Sequence, residues 1–225
     1  MKCKAKPGTE GSRPPVVAFL QSLVFLTAFV SVHLWLPIPA QAASQFARRD
    51  AHTMTGIDVL EAENFATLAG KRIGLITNQT GIDRNHRSTI DLLAHAPGVK
   101  LVALFSPEHG IRGIVDERVA TTTDTASGLP VYSLYGDDVR PTDAMLAGLD
   151  ALVFDVQDAG VRFYTYITTM GYTMEAAAQH HLAYYVLDRP DPLGGERIEG
   201  PMLDRERMNF AGYFPMPVRM AMTLG

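Results

Sequence analysis

Two proton-transfer groups stand side by side at Glu108 and His109, inside the pentapeptide Ser-Pro-Glu-His-Gly at 106–110. A carboxyl group beside an imidazole is suited to general acid–base work, the protonation or deprotonation of a bond under attack. The pair follows an apolar run at 99–105 that reads as a buried strand, and Pro107 stops that strand. Gly110 then permits a backbone turn that a Cβ would oppose. In open α/β sheets the loops at the carboxyl ends of strands form the ligand crevice, so Glu108 and His109 are expected to face a cleft. The plainer reading of the pentapeptide is a solvated turn carrying two ordinary polar residues.

Other polar residues end other strands. Asn78, Gln79 and Thr80 follow a strand expected at 71–77. Gln157, Asp158, Gly160, Arg162, Tyr164 and Tyr166 follow an apolar run at 151–156, and Asp188 and Arg189 follow a run at 183–187. In a parallel sheet these ends share one edge, so the groups converge. Arg162, Tyr164 and Tyr166 are spaced by two, which in an extended segment puts them on one face. That face would be an aromatic wall with a guanidinium, suited to a sugar ring that bears a carboxylate. The competing readings are an edge strand that packs both tyrosines inward, and aspartates (Asp155, Asp188) that cap helices or tie loops together. Metal ligation is disfavoured, since His180 and His181 are adjacent and diverge on a helix. No Walker loop, GxGxxG or GxSxG occurs, which disfavours nucleotide use and a serine-nucleophile elbow.

The elements that must position these groups alternate along the chain. A helix is expected from Gly56, with Ile57, Leu60, Phe65 and Leu68 inward and Gly70 as its end. Ser88 is a candidate N-cap for a helix carrying Ile90, Leu92 and Leu93. A strand at 131–134, a short helix opened by Pro141 and Thr142, and the near-continuous apolar run at 151–156 follow. A helix at 168–181 is expected to turn Met170, Met174, Ala177 and Ala178 inward. Strand and helix in alternation mean an α/β fold with a mostly parallel sheet flanked by helices. The domain spans 56–190, and 191–225 is an irregular, Pro- and Gly-rich extension. The sequence ends at Gly225 on no terminating element, so a truncated protein is expected.

Residues 1–42 read differently. Lys2, Lys4, Lys6 and Arg13 precede an apolar stretch at 16–36, and Ala40-Gln41-Ala42 supplies small residues for cleavage. This is the pattern of a secretory signal peptide, with an uncleaved anchor as the alternative. Residues 43–55 are expected to be a flexible leader. The expected location is periplasmic or extracellular, with no membrane contact after cleavage. Cys3, the single cysteine, falls in the removed part, so the mature chain has no disulfide and no thiolate metal site. Of 20 Lys and Arg and 24 Asp and Glu, four basic and one acidic residue lie in 1–42, which leaves the remainder at a net charge of −7. With no basic stripe, nucleic acid is not an expected partner.

Taken in order, these blocks resemble a known family, the exo-β-N-acetylmuramidases of the NamZ/YbbC type. The resemblance rests on Gly56-Ile57-Asp58-Val59-Leu60, the stretch from Gly70 to Asn78, and Leu104-Phe105-Ser106-Pro107-Glu108-His109-Gly110. It continues with the stretch from Gly128 to Gly136, Phe154-Asp155-Val156-Gln157-Asp158, Arg162-Phe163-Tyr164-Thr165-Tyr166, and Val186-Leu187-Asp188-Arg189-Pro190. The resemblance implies a Rossmann-like domain without a nucleotide or other cofactor, completed in the family by a smaller C-terminal domain that is missing here. It implies an exported glycosidase that releases N-acetylmuramic acid from the non-reducing ends of peptidoglycan fragments in cell-wall turnover. Glu108 then corresponds to the catalytic carboxyl, with His109 beside it. Asn78, Asp155, Asp158, Arg162, Tyr164, Tyr166, Asp188 and Arg189 are the candidate substrate-binding residues. Hydrolysis of a glycosidic bond usually takes a second carboxyl group, and Asp155, Asp158 and Asp188 are open candidates. Arg162 or Arg189 is a candidate partner for the lactyl carboxylate of muramic acid. Two stretches depart from the family pattern: Asp191-Pro192 where Asn-Pro is usual, and the end at 219–225. A non-catalytic muramyl-binding module and a metal-dependent hydrolase are the rival readings.

Overall fold

The computed structural model describes residues 53–108, 110–111, 122–136 and 138–225. The proposed signal peptide, most of the leader and His109 lie outside the described residues. Helix α1 (Gly56–Ala62) opens the fold on a capping box, with Thr55 N–H and Oγ1 both donating to Asp58 Oδ2 at 2.9 Å. The continuous helix expected to reach Leu68 is instead broken. Asn64 and Phe65 take left-handed φ values of 52° and 57°, and a 3-10 turn at Ala66–Leu68 follows. The kink still buries Phe65 and Leu68, so the apolar spacing survives a change of helix type.

Strand β1 (Arg72–Thr77), helix α2 (Thr89–Ala94), strand β2 (Lys100–Ser106), strand β3 (Thr122–Thr123) and strand β4 (Pro130–Ser133) come next. Ser88 Oγ accepts from Ile90 N–H at 3.2 Å, as an N-cap should. Helix α3 (Asp143–Leu146), strand β5 (Ala151–Asp155), helix α4 (Tyr166–Gln179) and strand β6 (Ala183–Val186) complete the regular elements, apart from a 3-10 turn at Arg205–Arg207. The sheet order is β3-β4-β2-β1-β5-β6. All pairings are parallel except the short β3–β4 pair. This is the α/β architecture the alternating pattern calls for.

The central strands β1, β2 and β5 alternate their side chains between two cores. Leu75, Leu104 and Val153 face α1 and α2, whereas Ile76, Phe105 and Phe154 face α3 and α4. Burying side chains of this size stabilises the fold by about 1.5–3 kcal/mol each. On α4, Met170 and Ala177 are buried as expected, but Met174 is 45% exposed and Ala178 is exposed too. The helix meets the sheet on a narrower stripe, shared with Tyr166, Ile167, Thr169 and Thr173. No helix among the described residues is long and apolar enough to cross a membrane. From Pro190 onward the backbone is mostly irregular and is tied down by isolated bridges, including Val161 to Arg219 and Glu199 to Arg219.

Candidate active site

The parallel strands bring their carboxyl ends to one edge, where Asn78 follows β1, Glu108 follows β2 and the 157–165 loop follows β5. Gly110, at φ 73°, closes the turn after Glu108 by donating to Pro107 O at 3.2 Å. Glu108 is half-buried, and its Oε2 accepts from Thr165 Oγ1 at 2.5 Å. Thr165 occupies the N-cap position of α4, where a threonine hydroxyl normally turns onto the first free amides of its own helix. Here it makes no such cap and reaches 57 residues back to Glu108 instead. In the sequence Thr165 stands out only as part of the Arg162–Tyr166 block. The sequence places the start of that helix at 168, two residues past its observed start at Tyr166, so no capping signal falls on Thr165.

Tyr164 and Tyr166 pack edge to face, with ring centroids 4.9 Å apart. They do so from a turn and the first residue of α4, not from the extended segment expected, because the chain enters the helix at once. Tyr164 is 38% exposed and Tyr166 is buried. Asn78 Nδ2 donates to Tyr166 Oη at 2.9 Å, while Asn78 Oδ1 accepts from Thr80 N–H at 2.9 Å. Tyr166 is also hydrogen-bonded to the Tyr164 side chain, so its hydroxyl sits between Asn78 and Tyr164. Burial, joined by Tyr164 and the Glu108 charge, pushes that phenol up to about 12. The Glu108 contribution places both groups within electrostatic reach of one another. Glu108, Thr165, Tyr164, Tyr166 and Asn78 therefore form one cluster: an acidic group and an exposed aromatic face backed by a buried phenol.

The remaining candidates sit elsewhere. Asp155 is fully buried, and its two oxygens accept from Arg189 Nε at 2.6 Å, Arg189 Nη2 at 3.0 Å and Thr89 Oγ1 at 2.5 Å. Burial pushes the Asp155 carboxyl up, against the pull of Arg189 and Thr89. Arg189 also donates to Ile82 O at 2.9 Å, so the pair ties the ends of β5 and β6 to the loop after β1. Among the described residues both Asp155 oxygens are occupied, so Asp155 braces the site, whereas Arg189 braces it through Nε and Nη2 and also borders the cavity beside α1. The tie between loops was the alternative reading of Asp155. Arg162 turns away from the tyrosines and donates through Nη1 to Pro201 O at 2.8 Å and Met216 O at 2.6 Å, which breaks up the expected three-residue wall. Asp188 Oδ1 accepts from Gly225 N–H at 3.0 Å. Asp158 is buried, and Gly160 N–H donates to its Oδ1 at 2.7 Å. A cavity of about 690 Å³ lies between α1, β6 and residues 221–223, bordered by Val59, Tyr185 and Met222 but not by Glu108. Among the described residues, no group of three His, Cys, Asp or Glu side chains is placed to hold a metal ion.

Known proteins share this chain's sequence and fold. Residues 73–225 match the family model "Exo-beta-N-acetylmuramidase NamZ, N-terminal". The chain is 43% identical over 215 residues to the peptidoglycan beta-N-acetylmuramidase NamZ of Bacillus subtilis (strain 168), covering 95% of this chain and 51% of that protein. Two crystal structures of DUF1343 family proteins from Bacteroides fragilis NCTC 9343 share the fold. One has a TM-score of 0.72 at 50% identity, covering 76% of this chain and 43% of its own. The other has a TM-score of 0.66 at 37% identity, covering 76% and 44%. The chain thus spans about half the length of the curated relative it matches. Sequence match across the Glu108 loop, the α4 entry and the β6 end, together with the shared fold, establishes that the chain belongs to the NamZ N-terminal family.

Proposed function

We propose that this chain carries the catalytic carboxyl of an exo-acting glycosidase, and that its substrates are peptidoglycan fragments ending in N-acetylmuramic acid. The single observation that carries the reading is the setting of Glu108, half-buried, oriented by Thr165 and flanked by Tyr164 and Tyr166. The name of the Bacillus subtilis relative supports the reaction class. In this reading Glu108 protonates the glycosidic oxygen as the bond breaks. Thr165 holds Oε2, which leaves Oε1 to carry the proton toward the leaving group. The exposed face of Tyr164 stacks on a sugar ring, and Tyr166, buried beneath it, holds the Tyr164 ring in place. Asp155 is withdrawn as the second carboxyl group, because Arg189 and Thr89 occupy it. Residues 1–42 support export to the periplasm or the cell exterior, where such fragments occur.

The test is release of muramic acid from a chromogenic N-acetylmuramide by the full chain, with calorimetry of the same ligand alongside. Glu108→Gln is expected to lower turnover by about 10²–10⁴-fold while leaving binding in place. Unchanged turnover in Glu108→Gln removes Glu108 from the chemistry. Binding without turnover in the unaltered chain favours a muramyl-binding module instead.

A further inference from the structure

We propose that Phe163 is a second carbohydrate platform, which stacks on the N-acetylhexosamine that leaves when a terminal muramic acid is cut off. This platform rests on the glycosidase reading and extends it to the leaving-group side of the bond. Phe163 is 58% exposed, more than any other Phe or Tyr among the described residues. A single exposed apolar residue is ordinary on a protein surface. Phe163 differs in what holds it and in what stands beside it.

Val161 to Tyr164 form a hydrogen-bonded turn, in which Tyr164 N–H donates to Val161 O at 3.0 Å and Phe163 occupies the second corner. Arg162, at the first corner, anchors the turn. Its backbone N–H donates to Val218 O at 2.8 Å, and its Nη1 donates to Pro201 O at 2.8 Å and Met216 O at 2.6 Å. Ahead of the turn, Gly160 N–H donates to Asp158 Oδ1 at 2.7 Å, and Met220 N–H donates to Gly160 O at 3.2 Å. Behind it, Thr165 Oγ1 is bonded to Glu108. The backbone is therefore fixed on both sides of a ring that stands mostly in solvent. A surface ordered in advance of binding avoids part of the entropic cost of ordering it later.

Phe163 comes two residues before Thr165, whose hydroxyl holds Glu108, and one before Tyr164, which is 38% exposed. Neighbouring Cα atoms are about 3.8 Å apart, so rings on adjacent residues are spaced to meet adjacent sugars of one chain. An exo-acting site takes the non-reducing end of its substrate. All the rest of the substrate then lies past the cut, on the leaving-group side, where an exposed ring beside the catalytic carboxyl has something to bind. The face of a Phe ring is the negative part of its quadrupole and suits the C–H face of a hexose. It offers nothing to the lactyl carboxylate of muramic acid, so it fits the uncharged N-acetylhexosamine and leaves muramic acid to Tyr164.

Calorimetry with two probes tests this: N-acetylmuramic acid alone, and the disaccharide in which it is β-1,4-linked to N-acetylglucosamine. The full chain carrying Glu108→Gln is the reference, so that the disaccharide stays intact during the measurement. Adding Phe163→Ala is expected to weaken disaccharide binding about 10-fold and to leave N-acetylmuramic acid within about 2-fold. Adding Phe163→Trp instead should keep the disaccharide affinity, and its indole emission should shift with the disaccharide but not with N-acetylmuramic acid. Equal loss for both probes in Phe163→Ala, or no loss for either, overturns the platform and leaves the glycosidase reading standing. An indole that does not respond to bound disaccharide overturns it as well. A reference chain that binds neither probe overturns both readings. A dimer that Phe163→Ala converts to monomer in sedimentation, with both affinities kept, overturns the platform in favour of an interface between copies.

Discussion

Replacing Arg189 with Met tests the brace beneath the candidate site. The Arg189 side chain is 7% exposed and that of Asp155 is 0% exposed. Met fills much of the space of the arginine stem but leaves the Asp155 carboxylate, among the described residues, with the Thr89 hydroxyl as its remaining side-chain donor. Breaking a buried pair from one side costs about 3–5 kcal/mol, far more than the pair contributes over an apolar substitute. For a chain of this size that corresponds to a Tm lower by roughly 6–20 °C at pH 7. The loss has a pH signature. Asp155 already sits above the ordinary carboxylate range because burial disfavours its charge, and removing Arg189 pushes it further up. A raised folded-state value adds stability below the unfolded value and loses it as pH rises, so the deficit of Arg189→Met should shrink toward pH 4–5. The double variant Asp155→Asn/Arg189→Met removes both charges and should recover part of the loss, a coupling that the double-mutant cycle measures. The assay is thermal unfolding of the full chain by circular dichroism from pH 4 to pH 8. A Tm for Arg189→Met within about 2 °C of the unaltered chain at pH 7 would refute the bracing role.

Two further outcomes are expected. Thr165→Val should lower muramide turnover about 10- to 100-fold with little change in KM, and Thr165→Ser should restore most of it, because what matters is a hydroxyl hydrogen bond to a charged group. Equal activity in the Val and Ser variants would assign Thr165 a packing role only. Gly160→Ala should lower the Tm by several degrees, since Gly160 has φ +74° and its new methyl would stand 2.1 Å from Asp191 Oδ1; an unchanged Tm by calorimetry would contradict the close approach.

The sequence by itself determined the order and type of the elements. Apolar runs of strand length at β1, β2 and β5 alternate with helical spacing at α2 and α4, and burial on both faces follows from runs with no polar residue between them. It also determined that polar residues end these strands on one edge, and so that Glu108 and Asn78 belong to a common region. It did not reveal which of those residues pair with each other, because pairing depends on the direction of each side chain across 30 to 100 residues of chain. Asp155 and Arg189 looked like ligand groups until the structure closed them on one another. The period-two spacing of Arg162, Tyr164 and Tyr166 predicted one face only for an extended chain. The immediate entry into α4 sent Arg162 to the carbonyls of Pro201 and Met216 while keeping the two rings together. Thr165, silent in sequence, acquired its role only when the end of β2 and the start of α4 came within hydrogen-bond reach. Periodicity is local and survives in one dimension. The burial that decides whether a polar group braces the protein or faces a ligand exists only after the strands have paired.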